Sequence, residues 1–229
     1  MSFALFVRRF VPLASLTLIL GCHSHPATPL AAPQPAAVPA QTPSDARPII
    51  VCFGDSLTAG YGVDDGESYP DYLQQDLDSA GYRYQIRNEG VSGDTTQDGL
   101  NRVPHVLSLH PALVILELGG NDGLRGQPIA NSQQNLATIL ATLNSAHIPI
   151  VLGGITLPPN YGPDYIRSFN LMYTTLSQQY GVPLLPFLLK DVYGVPGGMQ
   201  PDGIHATAQG NRQVAQNLLP LIKPLLKMN

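Results

Sequence analysis

Residues 113–118, LVILEL, form a nearly unbroken apolar run. A run that short without polar alternation suits a central strand buried on both faces. The lone Glu117 within it needs a polar partner or a place near the end of the sheet. Runs over 49–53, 84–87, 149–153 and 183–187 repeat the strand signal, and amphipathic stretches over 68–80, 95–109, 131–146, 164–180 and 207–226 separate them. This alternation predicts an α/β domain, a parallel sheet with helices on both faces. The helical spacing is clearest over 131–146, where Leu136, Ile139, Leu140 and Leu143 make one apolar stripe and Asn131 is available as a cap. No repeat of solenoid period is present.

The amino-terminal residues stand outside this pattern. Arg8 and Arg9 precede an apolar stretch over 11–20 that has the length of a signal-peptide core and is short for a bilayer span. It ends at Ile19-Leu20-Gly21-Cys22, which resembles the lipobox of bacterial lipoproteins. The resemblance implies a leader over 1–21, lipidation of Cys22 and anchoring in the cell envelope. His23 in place of an aspartate implies the outer membrane, facing the periplasm. A leader without lipidation would instead give a soluble periplasmic or secreted protein.

Residues 22–47 are rich in Pro and Ala and poor in charge, the composition of an extended tether. His23 and His25 read as solvated tail residues, not as metal ligands. Residues 48–229 then form one domain, with a core of adequate size. The chain carries a net charge of -4, and losing Arg8 and Arg9 makes it more negative. No basic field exists to recruit nucleic acid. Of the two cysteines, Cys52 lies in the apolar run 49–53, so no disulfide framework is expected and it reads as a small buried hydrophobe.

Four short motifs fall in a telling order: GDSL at 54–57, SGD at 92–94, GGND at 119–122 and DGIH at 202–205. Taken singly, Ser56 suits a helix N-cap, Gly93 and Asn121 suit turns, and His205 suits a surface position. Together they supply what acyl transfer needs. A serine hydroxyl is a weak nucleophile and requires a base, which in turn requires an orienting carboxylate. Ser56, His205 and Asp202 fill these positions, with Asp202 and His205 expected side by side on one turn at the start of the last helix. The backbone N–H groups of Gly93 and Ser56 and the Asn121 amide would receive the developing oxyanion. Asp94 and Asp122 read as residues that cap helices or tie loops. His105, His110 and His147 lie outside any motif and read as structural. Loops over 124–127, 160–165 and 194–199 are candidates for lining an acyl pocket.

With these residues in view, the chain resembles the SGNH hydrolases, also called the GDSL family of esterases and lipases. The segments SGDTTQDGL, LVILELGGNDGLRG, LPPNYG, VPLLPF and MQPDGIH are similar to its bacterial branch of multifunctional thioesterase, protease and lysophospholipase enzymes and arylesterases. The resemblance implies a three-layer α/β/α sandwich on a five-stranded parallel sheet. It also implies catalysis by Ser56, Asp202 and His205 with no metal or cofactor. The expected substrate is a small carboxylic ester, thioester or lysolipid, and the expected state is a monomer that meets the membrane through Cys22. Alternatives are a role chiefly as acyl-CoA thioesterase, a carbohydrate acetyl esterase and, more remotely, an idle binding lipoprotein.

Overall fold

The computed structural model describes residues 47–228. The leader, Cys22 and all of the 22–47 tether except Arg47 lie outside the described residues. Five strands form one sheet: β1 (Ile49–Gly54), β2 (Gln85–Gly90), β3 (Leu113–Glu117), β4 (Ile150–Gly153) and β5 (Leu184–Leu185). Their order is β2-β1-β3-β4-β5, and every pairing is parallel. All five expected strands are present, although β2 runs on to Gly90 beyond the expected 84–87. β5 keeps two residues of its expected five, because Pro183 and Pro186 bracket it and neither has an N–H to donate.

The helices are α1 (Ser56–Ala59), α2 (Tyr69–Ser79), α3 (Thr96–Ser108), α4 (Gly120–Leu124), α5 (Ile129–Ser145), α6 (Pro163–Tyr180) and α7 (Ala208–Ile222). α2 packs with α7, while α5 packs with both α3 and α6. These two groups cover the two faces of the sheet and complete the α/β/α sandwich. The stripe foreseen on α5 is its core face, with Leu136, Ile139, Leu140 and Leu143 fully buried. Each such side chain contributes about 1.5–3 kcal/mol of transfer free energy.

Two helix ends differ from expectation. α5 begins at Ile129 after Pro128, and Asn131 lies inside the helix instead of capping it. The fixed φ of Pro128 leads the chain into the first turn without a side-chain cap. α7 stops at Ile222 and tightens into a 3₁₀ turn over Lys223–Leu225, because Pro224 cannot extend the α-helical hydrogen-bond ladder. Cys52 is buried in β1, as its surroundings suggested.

Every parallel strand delivers its following loop to the same edge of the sheet. The strand ends are also in register, with Gly54 beside both Gly90 and Glu117, and Glu117 beside Gly153. The chain moves from β1 to β2 on one side and reaches β3 on the other, so the order reverses at β1. Loops after β1 and β3 therefore diverge and leave a crevice, the usual ligand position in such sheets.

Gly90 sets how closely α1 approaches this edge. A Cβ at Gly90 would lie 2.2 Å from the Ala59 amide nitrogen. Since that neighbour is backbone, α1 would have to move. Gly90→Ala is expected to cost about 1–3 kcal/mol, which denaturant unfolding measures.

Candidate active site

Ser56 is the first residue of α1, directly after β1. The side chain of Asp55 caps this short helix by accepting from the Leu57 N–H at 3.0 Å, so Asp55 and not Ser56 holds the capping position. The Ser56 hydroxyl is left free to face the crevice, where its Oγ lies 2.9 Å from His205 Nε2. On the other side of the ring, His205 Nδ1 lies 2.6 Å from Asp202 Oδ2. An ionised carboxylate can only accept, so Nδ1 carries the ring hydrogen and the Nε2 lone pair faces the serine.

Asp202 and His205 lie side by side in a turn just ahead of α7. Asp202 Oδ1 accepts from the N–H groups of Ile204 and His205 at 2.9 and 3.0 Å, which folds the segment into an Asx-type turn. Burial pushes the Asp202 carboxyl up, but hydrogen bonds from the His205 ring and from the two N–H groups, with the imidazole's charge, outweigh it and hold the group down at about 2. The turn is closed by Gln200, whose N–H donates to the His205 carbonyl at 2.8 Å. Its side-chain amide donates to the Tyr61 carbonyl at 2.7 Å and the Ala206 carbonyl at 2.8 Å. The Tyr61 ring sits 4.6 Å from the imidazole, centroid to centroid, at a tilt of 40°.

Gly93 and Asn121 arrive from the loops after β2 and β3. Gly93 has φ +90°, and a Cβ there would meet nothing within 4 Å, so backbone conformation and not space calls for glycine. Asn121 Nδ2 donates to Asp55 Oδ2 at 3.1 Å and to the Asp94 carbonyl at 2.9 Å. The amide is thus held between the loops after β1 and β2. Asp122 is buried and accepts from Thr96 N, Thr96 Oγ1 and Ser132 Oγ, tying α4 to α3 and α5. Asp94 is paired with Arg102. Both aspartates tie loops, as expected.

The site rests on a buried carboxyl pair. Glu117 Oε2 accepts from Thr58 Oγ1 at 2.7 Å and from the Asp55 N–H at 3.3 Å, while Oε1 has no protein partner. The side chain is both partnered and at the end of its strand, the two conditions the sequence set. Burial, with the neighbouring Asp55 charge, pushes the Glu117 carboxyl well above its ordinary range. Burial also raises Asp55, to about 6, against the lowering effects of the Leu57 N–H, the His205 charge and the Asn121 amide.

Beside Ser56 lies a cavity of about 380 Å³, within the range of small-molecule sites. Its apolar wall includes Leu124, Ile155, Leu157, Pro158, Phe187 and Leu189, and Tyr61, Tyr193 and Ile204 also line it. Of the three loops nominated from sequence, only 124–127 contributes, through Leu124; the wall comes instead from 155–159, 187–193 and 203–205. His105 lies elsewhere, 3.0 Å from Glu89. His110 and His147 occupy left-handed turn positions after helices. Asp55, Tyr61 and Arg102 escaped the sequence reading as contributors to the site, although Asp55 stands within the GDSL motif.

The motif sequence, the β1 switch point and this geometry define one protein class: the chain belongs to the GDSL-like lipase/acylhydrolase family, whose sequence model matches residues 52–213. It is 42% identical over 186 residues to Esterase TesA of Pseudomonas aeruginosa, covering 81% of this chain and 92% of that one. It is 38% identical over 178 residues to thioesterase 1/protease 1/lysophospholipase L1 of Escherichia coli K12, covering 77% and 84%. Among solved structures, AlinE4, titled an SGNH-hydrolase family esterase, superposes with a TM-score of 0.66 at 44% identity, covering 79% of this chain and 97% of its own.

The raised Glu117 carboxyl makes a signed prediction. The folded chain keeps a proton on this group that the unfolded chain releases above the ordinary glutamate value of 4.5. This group therefore favours folding below that pH and loses its contribution as pH rises through the raised folded value. Glu117→Gln removes the dependence while keeping an acceptor for Thr58. Its stability relative to the parent should rise between pH 5 and pH 7.5 in denaturant unfolding, and a constant difference would contradict the protonated assignment.

Proposed function

We propose that the chain is a cofactor-independent serine esterase working through an acyl-enzyme on Ser56. The observation that carries this reading is the unbroken line from Ser56 Oγ to His205 Nε2 and from Nδ1 to Asp202, at 2.9 and 2.6 Å. Ser56 Oγ attacks the ester carbonyl carbon as its proton passes to Nε2. The resulting imidazolium is stabilised by Asp202, and the carbonyl oxygen becomes negative beside the N–H groups of Ser56 and Gly93 and the Asn121 amide. An incoming oxyanion takes over one of the two Nδ2 hydrogens that now point at Asp55 and Asp94. Collapse expels the alkoxide or thiolate, which receives the proton from His205. Water, deprotonated by the same nitrogen, then attacks the acyl-enzyme and releases the acid.

The cavity favours esters with apolar acyl groups. Among the described residues its lining is mostly apolar, which suits an acyl chain, and thioester cleavage is read as a companion activity. Small carboxylic esters are the substrate class, with the acyl chain against Leu124, Ile155, Leu157 and Phe187. The named thioesterase and lysophospholipase activities of the Escherichia coli relative support this breadth.

A fluorophosphonate at neutral pH is expected to label Ser56 and to leave Ser56→Ala unlabelled; an unlabelled parent rejects the enzyme reading. Asn121→Ala is expected to lower kcat roughly a hundredfold or more, measured with p-nitrophenyl esters. A change confined to KM would remove Asn121 from the oxyanion hole.

The proposal extends to the amino terminus. A leader over 1–21, lipidated Cys22 and the 22–47 tether would hold the domain at the envelope, with the outer membrane as the expected site. The support is the lipobox-like sequence and its position at the end of the apolar stretch. Metabolic labelling with a fatty acid should mark the parent and not Cys22→Ser, and equal labelling would refute the anchor.

A further inference from the structure

Arg102 belongs to none of the four motifs, yet its guanidinium joins three segments of the site. Nε donates to Asp94 Oδ2 at 2.7 Å, Nη1 to the Glu89 carbonyl at 2.9 Å and Nη2 to the Gly54 carbonyl at 2.9 Å. Its charged centre lies 4.7 Å from the centroid of the Phe53 ring. The Arg102 and Asp94 side chains are only 21% and 13% exposed, so these charge-assisted bonds act in a lowered dielectric.

The three acceptors are not scattered. Gly54 ends β1 and precedes Asp55 and Ser56, Glu89 is next to the end of β2, and Asp94 follows Gly93. The Asp94 carbonyl is also one of the two groups that hold Asn121 Nδ2. The planar fork therefore sets the spacing among the nucleophile segment, the Gly93 loop and the Asn121 amide. A lysine has a single nitrogen and cannot present three donors in this plane. Arg102 does not line the cavity, and its hydrogen bonds go to neither member of the His205–Asp202 pair.

We propose that Arg102 is a positioning residue for the oxyanion hole, fixing Ser56, Gly93 and Asn121 relative to one another through Gly54, Glu89 and Asp94. The proposal rests on the roles assigned to those three residues under the proposed function. A displacement of about an ångström among such groups can cost on the order of a hundredfold in rate. The predicted signature is a loss in kcat with substrate binding and proton transfer spared.

The test compares the full chain with Arg102→Ala, Arg102→Lys, Asn121→Ala and the Arg102→Ala/Asn121→Ala double variant on one p-nitrophenyl ester. Circular dichroism and unfolding give the folded fraction of each. Arg102→Ala is expected to lower kcat per folded molecule by roughly tenfold to a hundredfold, with KM changed by less than about twofold. Arg102→Lys should fall between parent and alanine, and the pH midpoint of kcat/KM should stay in place. In the Asn121→Ala background the arginine substitution should cost less than about threefold more, because both changes disable one unit.

Losses that multiply in the double variant, a loss confined to KM, or a loss equal to the missing folded fraction would each overturn the proposal. If Arg102→Ala does not fold, Arg102→Lys carries the same comparison. A parent chain unlabelled by fluorophosphonate overturns the underlying enzyme reading. A labelled parent whose folded arginine variants keep the parental kcat overturns the positioning role alone.

Discussion

The register of four parallel strand ends constrains everything built above them. Gly90, Gly54, Glu117 and Gly153 stand in one row, so four loops leave the sheet at one level. Parallel pairing puts those loops on one edge, and the reversal of order at β1 opens a gap between them. Two of the row's glycines let neighbouring chain settle directly on it. A side chain at Gly54 would collide with Thr58 and Glu117, and one at Gly90 with the backbone of α1. Helix α1 can therefore begin at the sheet edge and present its first residue to the crevice.

Beneath that helix the protein buries polar atoms at a cost. Glu117 is inaccessible to solvent, and one of its oxygens has no protein partner. Its other oxygen ties Thr58 and the Asp55 N–H to β3, while Thr58 Oγ1 also meets the Tyr69 hydroxyl at 3.0 Å. An apolar side chain at 117 would avoid the desolvation penalty but would leave Thr58 and the Asp55 N–H with fewer partners. The arrangement gives Asp55 two tasks at once: one carboxylate oxygen caps α1 and the other holds Asn121.

Much of this was legible from the chain. Apolar runs marked β1, β3 and β4 well because strands buried on both faces leave an unmistakable composition, whereas the edge strand β2 is polar and partly exposed and only its start was marked. The motifs nominated Ser56, Gly93, Asn121, Asp202 and His205 from segments far apart in the chain, and the fold brings Ser56, His205 and Asp202 into one hydrogen-bonded line. What stayed hidden has physical reasons. Helices α1 and α4 have four and five residues, too few to display a helical period, and both lie inside motif segments. Arg102 reaches Gly54 across 48 positions, and the Tyr61 ring meets His205 only after the sheet has formed. No local spacing encodes such meetings. The cavity wall was misplaced for the same reason, since Gly- and Pro-rich loops look alike whether they face a pocket or solvent.

The turn over Gln200–Ala206 gives His205 and Asp202 a common fate. Asp202 is bonded both to the ring of His205 and to its backbone, so the two ride on one short segment while Ser56 rides on another. A displacement of that segment would change the distance to the hydroxyl without disturbing the tautomer of the imidazole. Gln200 latches that segment to the Tyr61 carbonyl, and the Tyr61 N–H in turn donates to the Ser56 carbonyl at 3.1 Å. One side-chain amide thus keeps the two segments in step, and its loss would let the imidazole drift from the hydroxyl with the carboxylate still attached.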